Sequence, residues 1–254
     1  MGVREQSGAA LWIHDLSGVT APRRLTLEGS VPRGEWTADG ARITFASGGD
    51  IFEISADGTG IPERLVSAEA GGVLSWSRDG RVLAFVNQRG AGIWTFRRDG
   101  RVTEPFYESP GAPREPQFSP DGKWIAYMFD QAGIPHLWVQ PFPPTGARVE
   151  VTRDLAIAPR WSPDGRTLFY VDPGTAAPAN VFSVSVDTTS GFAFGRPKSL
   201  GIELRQAGNH YDITPDGRKF LVVRNAGGSG DSTPPRVHLV LNWTQELKER
   251  VPVR

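Results

Sequence analysis

Apolar and polar residues alternate along this chain in short runs, and Gly, Pro or Asp cuts the runs about every ten residues. Alternation of this kind marks strands with one buried face, because successive side chains of a strand point to opposite sides. An amphipathic helix would need its apolar residues three and four apart, and that spacing is not sustained. One run is worth quoting. WSPDGRTLFYV, residues 161–171, places an aromatic residue, a turn and an alternating apolar stretch side by side. It returns as WTADGARITFA from Trp36, WSRDGRVLAFV from Trp76, FSPDGKWIAYM from Phe118 and ITPDGRKFLVV from Ile213.

The copies are 40, 42, 43 and 52 residues apart. Those steps fit the spacing of four-stranded propeller blades, about 40–45 residues, and are too long for leucine-rich or ankyrin repeats. The intervals carry the right number of strands. RVLAFVN, AGIWTFRR and RVTEPFYE follow Trp76, and RTLFYVD, NVFSVSVD and GRPKSLG follow Trp161. Each sheet alone would have two apolar faces, which neighbouring sheets would bury. The phrase itself predicts a type I turn with a bulge: proline pre-sets φ, Asp accepts the next position, and Gly takes a positive φ. Pro120-Asp121-Gly122, Pro163-Asp164-Gly165 and Pro215-Asp216-Gly217 therefore join the first and second strands of their blades, with Ala38-Asp39-Gly40 and Arg78-Asp79-Gly80 as variants. Asp57-Gly58 and Asp99-Gly100 mark the turn between third and fourth strands. The aromatic residue at the head of each phrase is expected to wedge between sheets. The five turn aspartates lie in separate turns and form no DxDxDG cluster, so they read as structural and not as metal ligands.

Composition narrows the function. With 254 residues the chain can bury a sizeable core, and 30 glycines and 21 prolines suit many short strands. Lys plus Arg equals Asp plus Glu at 28 each, so no basic excess points to nucleic acid or an anionic membrane. There is no cysteine, hence no disulfide, thiolate metal site or thiol nucleophile. No apolar run is long enough to span a membrane, and the first residues do not read as an export signal.

The repeated F/W-S-P-D-G phrase, with RRLT at Arg23–Thr26, resembles the repeats of TolB-type, PD40, WD40-like β-propellers. The ending VHLVLNWTQELKERV is similar to that of propeller regions that follow a serine/threonine kinase domain in bacterial multidomain proteins. It reads as a strand from Val237 to Trp243 and a short helix over 244–251, capped by Thr244. No kinase motif is present: neither a glycine-rich loop nor HRD nor DFG. The strand count fits either five blades closed with an extra strand or six with an incomplete first blade; the resemblance implies six, in an all-β propeller of TolB type and a single domain, 1–254. It also implies a monomer and an extracytoplasmic setting. Residues 1–35, with ALWIHDL and RRLTL as two strands, then make a partial first blade, and Ile213 onward supplies three strands.

First strands of propeller blades line the channel, and partners meet its mouth. The positions just before the wedge residue are Glu35, Ser75, Gln117, Arg160 and Asp212; two residues further back lie Arg33, Val73, Glu115, Ala158 and His210. The polar members, Arg33, Glu35, Glu115, Gln117, Arg160, His210 and Asp212, are the candidates for contacting a partner or ligand. His14, His136 and His238 are isolated, and neither HExxH nor a zinc-ligand spacing occurs. GxSxG and GxxxxGK[ST] are missing as well, so no catalytic residue, cofactor or metal is assigned. The loops 141–148, 173–180 and 226–236 are rich in Pro, Gly and Ser and read as rim spacers, with Phe142, Phe192 and Phe194 as possible anchors. The expected function is a non-enzymatic platform for a protein or peptide partner within a larger bacterial signalling protein. The alternatives are a substrate-gating propeller of a prolyl-oligopeptidase-like hydrolase and a TolB-like periplasmic component.

Overall fold

The computed structural model describes residues 2–5, 8–26, 33–67, 70–87, 92–110, 112–174, 178–204, 211–224 and 236–240. The expected helix over 244–251, the candidate His210 and most of the loop 226–236 lie outside them. The chain divides into two compact units, Met1–Asp130 with Gln140–Ala147, and Gln131–Val139 with Arg148–Arg254.

The first unit opens with β1 (Gly2–Glu5), β2 (Gly8–Ile13) and β3 (Arg23–Arg24), an antiparallel sheet in chain order. Two four-stranded sheets follow with the same order. One holds β4 (Gly34–Trp36), β5 (Arg42–Ser47), β6 (Asp50–Ser55) and β7 (Glu63–Ser67). The next holds β8 (Ala70–Trp76), β9 (Val82–Asn87), β10 (Gly92–Arg97) and β11 (Val102–Glu108). β12 (Arg114–Phe118) then pairs with β13 (Trp124–Gln131). In the second unit β14 (Ile134–Pro141) pairs with β15 (Val149–Glu150). β16 (Ile157–Trp161), β17 (Thr167–Asp172) and β18 (Ala179–Asp187) continue, with β19 (Ala193–Phe194) and β20 (Lys198–Leu204) both paired to β18. β21 (Tyr211–Ile213), β22 (Phe220–Arg224) and β23 (Arg236–Val240) complete the described chain. The head therefore has three strands where two were expected. Its addition, Gly2–Glu5, is too short for its alternation to be read.

All five repeated phrases are hairpins between a first and a second strand. Their glycines, Gly40, Gly80, Gly122, Gly165 and Gly217, take φ between 68° and 70°. Each donates its N–H to the residue three back, at 2.8–2.9 Å. The Ser or Thr before the turn does the rest. Ser162 Oγ donates to Asp164 Oδ1 at 2.6 Å and accepts from Thr167 N–H, while Asp164 accepts from Arg166 N–H. Thr37, Ser77, Ser119 and Thr214 repeat this arrangement with Asp39, Asp79, Asp121 and Asp216. The aspartates are turn braces, as the sequence implies, and the hydroxyl partner is the part that reading missed.

The wedge expectation holds for Trp76, Phe118 and Trp161, all buried, and fails at Trp36, which is 50% exposed. A cap explains the difference. The residue whose N–H bonds back to the carbonyl just after the turn glycine is Arg98 in one repeat and Phe142 in the next. Arg98 lies 4.6 Å over the Trp76 ring, and Phe142 meets Phe118 edge-on at 5.1 Å. At the matching position Trp36 has only Ala56, bonded in the same way to Ala41. A methyl cannot cover an indole. Trp161 is met instead by Phe192, edge-on at 6.3 Å. Phe142 and Phe192 are thus caps on wedge residues, and of the three loop phenylalanines only Phe194 is exposed.

Candidate functional site

The first strands lie side by side within each unit. β8 packs against β4 on one side and β12 on the other in the first unit. In the second, β16 and β21 are joined by a hydrogen bond from the Tyr211 hydroxyl to the Ala158 carbonyl, 2.7 Å. Three of these strands, β8, β12 and β16, share a distortion. The pairing register slips between Gly71 and Leu74, between Arg114 and Gln117, and between Ile157 and Arg160. Within two of the slips sits a non-glycine residue in the left-handed region, Glu115 at φ 53° and Ala158 at φ 55°. Such a bulge re-aims side chains at the end of a strand, and its backbone strain concentrates at functional sites. The signal legible in the sequence is the proline after each, Pro116 and Pro159, which gives the ladder no N–H.

The structure brings two of the candidates together. Arg160 Nε lies 3.7 Å from Asp212 Oδ1, the arginine side chain 17% exposed and the aspartate 63%. Arg160 is oriented from below by a bond from Nη1 to the Pro159 carbonyl, 2.8 Å. Asp212 Oδ1 also accepts the N–H of Ile213 at 2.8 Å. An ion pair this long, with one partner in water, is worth little as a fold contact. It leaves the Asp212 carboxylate, on the water side, able to answer a partner's charge. In the first unit Arg33 precedes β4, Glu35 lies on β4, and Glu115 and Gln117 lie on β12; all four are half-buried. Ser75, at the same repeat position as Glu35 and Gln117, is buried, and its hydroxyl accepts the N–H of Phe118 at 3.0 Å. That position faces the next sheet's first strand at Ser75, where sequence reading had placed a channel wall.

Elsewhere His14 is exposed, and His136 Nδ1 lies 2.7 Å from Glu150 Oε1 across β14 and β15. Among the described residues no three His, Asp or Glu side chains gather where they could hold a metal ion. Among the same residues no helix is long and apolar enough to cross a membrane.

No family model matches the chain, and no curated protein matches it either. Solved structures do. TolB from Acinetobacter baumannii superposes with a TM-score of 0.75 at 18% identity, over 92% of this chain and 57% of that one. A putative TolB from Agrobacterium tumefaciens gives 0.68 at 19% identity, over 88% and 81%. An oligogalacturonate lyase in complex with manganese gives 0.64 at 15% identity, over 96% and 70%. The chain is an all-β protein with the β-propeller fold of TolB. It spans little more than half the length of the Acinetobacter protein.

Proposed function

We propose that this chain is a non-enzymatic propeller module that binds a protein or peptide partner at the ends of its first strands. The observation that carries the reading is the loose Arg160–Asp212 pair, set beside the strained Ala158 and the Tyr211 hydroxyl that holds it. Opposite charges held close on neighbouring strands, one half in water, suit a polar or charged peptide segment, which would meet the Asp212 carboxylate. The likeness to TolB structures supports a propeller, and the zero net charge supports a partner other than nucleic acid. The six blades and single domain that the repeat count predicts belong to the same proposal. So do a monomeric state, an extracytoplasmic setting, and a place within a larger bacterial signalling protein of the kinase-associated kind.

Selection of displayed random peptides on the immobilised protein tests the reading, with counter-selection on the Arg160→Ala/Asp212→Ala variant. Enrichment of peptides that the variant does not retain supports it. Peptides retained equally by both proteins, or no enrichment, count against it.

A further inference from the structure

A cavity of about 490 Å³ opens in the first unit between the end of β3 and the sheet β4–β7. Its floor is a stacked aromatic pair, Phe45 and Phe52, with ring centroids 5.8 Å apart and 23° between planes. Strand pairing sets the two rings side by side, since Phe45 on β5 lies opposite Phe52 on β6. The buried Leu25 and Ile54 close the sides. Ile61, 89% exposed, and Pro62 form the rim. An isoleucine left in water beside an apolar cavity is surface that an occupant would cover.

The polar groups of the lining are few, and most are engaged. Thr26 Oγ1 accepts the N–H of Leu11 at 2.9 Å, and the Thr26 carbonyl accepts from Arg24 Nε at 2.7 Å. Arg24 is the one charged residue among the described lining residues, and it is already held in this way. A ligand charge would therefore leave water with no opposite charge set out to meet it, which is unfavourable. At the end of β5 the half-buried Ser47 adds a hydroxyl to the lining, able to donate one hydrogen bond and accept others.

A volume within the range of ligand sites, walled by apolar side chains with a few polar groups among them, is the usual form of a small-molecule site. Stacked rings on the floor favour a flat occupant, which can lie offset or edge-on against them. We propose that this cavity binds a neutral molecule with a flat aromatic body and one hydrogen-bonding group, the body lying on Phe45 and Phe52 and the polar group meeting the Ser47 hydroxyl. The site uses none of the first-strand candidates and stands apart from the partner reading.

Three probes of one shape test it: 2-naphthol, 2-methylnaphthalene, which lacks the hydroxyl, and 2-naphthoate, which carries a negative charge. The folded protein is expected to bind one 2-naphthol per chain, with a melting temperature that rises as the probe saturates. The anion should bind at least about tenfold more weakly. Ser47→Ala should weaken 2-naphthol about fivefold, the loss of one hydrogen bond, and leave 2-methylnaphthalene unchanged. Trp94 stands at the repeat position of Phe52 and Phe96 at that of Ile54, so the fold already carries these larger rings one repeat on. Phe52→Trp and Ile54→Phe should therefore fill the cavity and abolish binding of both neutral probes. No saturable binding, 2-naphthoate bound as tightly as 2-naphthol, Ser47→Ala acting equally on both neutral probes, or undiminished binding by the two filling variants would overturn the proposal. If a filling variant melts below the assay temperature, the Ser47→Ala and 2-naphthoate comparisons decide.

Discussion

The indole N–H of Trp76 donates to Thr44 Oγ1 at 2.9 Å, linking the first strand of one sheet to the second strand of the sheet before it. Both side chains are buried, and neither polar atom has water to fall back on. Trp76→Phe should therefore cost about 2 kcal/mol, chiefly the unsatisfied Thr44 hydroxyl, and Thr44→Val in that background should recover part of it. Urea unfolding of the two single variants and the double variant measures the coupling. Additive effects would show that the bond contributes nothing.

Wedge residues should differ according to their caps. Trp161→Ala, under Phe192, is expected to cost about 3–5 kcal/mol in denaturant unfolding. Trp36→Ala, half in solvent above Ala56, should cost less than half as much, in proportion to the area it buries. Equal costs would contradict the role given to the caps.

Glu53 is 1% exposed and accepts two bonds from Arg98, at 2.7 and 3.2 Å. Arg98 in turn covers Trp76, and the Glu53 hydrogen bond is the main cause that raises its pKa above the ordinary arginine value. Glu53→Ala removes the buried charge and leaves Arg98 and Arg42, 40% and 49% exposed, free to hydrate, so it should cost about 1 kcal/mol. Arg98→Ala strands the buried Glu53 carboxylate with only Arg42, 3.4 Å away, and uncovers Trp76, so it should cost about 3 kcal/mol. The ratio of the two losses is the quantity to measure.

Acid should loosen the turns between third and fourth strands. The Ser17 hydroxyl, then the backbone N–H groups of Ser17 and Thr20, hold the Asp15 carboxyl down at about 2; Thr59 and Ser55 do the same for Asp57, also about 2. An unfolded aspartate titrates near pH 3.9, so these groups bind protons more readily unfolded than folded. Their contribution is complete above about pH 4 and disappears as pH falls towards 2. Melting temperature should drop across that window, and Asp57→Asn should make the drop shallower. Identical slopes for the two proteins would rule the contribution out.

Much of the fold could be read from the chain because its signals are local. An Asp-Gly two residues after a Ser or Thr can make only a few turns, and five copies of it set the strand pairs. What escaped reading depends on contacts between repeats. Nothing near Trp36 says that its cap is Ala56, since the two meet only once the sheet has formed. The left-handed backbone at Glu115 and Ala158 escaped for another reason: neither residue type favours that conformation, and only the following prolines hint at it. For the candidate site, residue type found Arg160 and Asp212, and three-dimensional pairing was needed to set them apart from Ser75, which the next sheet's backbone uses.

The central claim is that a peptide engages the first-strand ends through Arg160 and Asp212. Calorimetric titration of the most enriched displayed peptide, into wild type and into Arg160→Ala/Asp212→Ala at low and physiological salt, tests it most directly. The account predicts saturable binding that weakens with salt and falls at least about tenfold in the variant, while its melting temperature stays unchanged. Equal affinity for both proteins would contradict it.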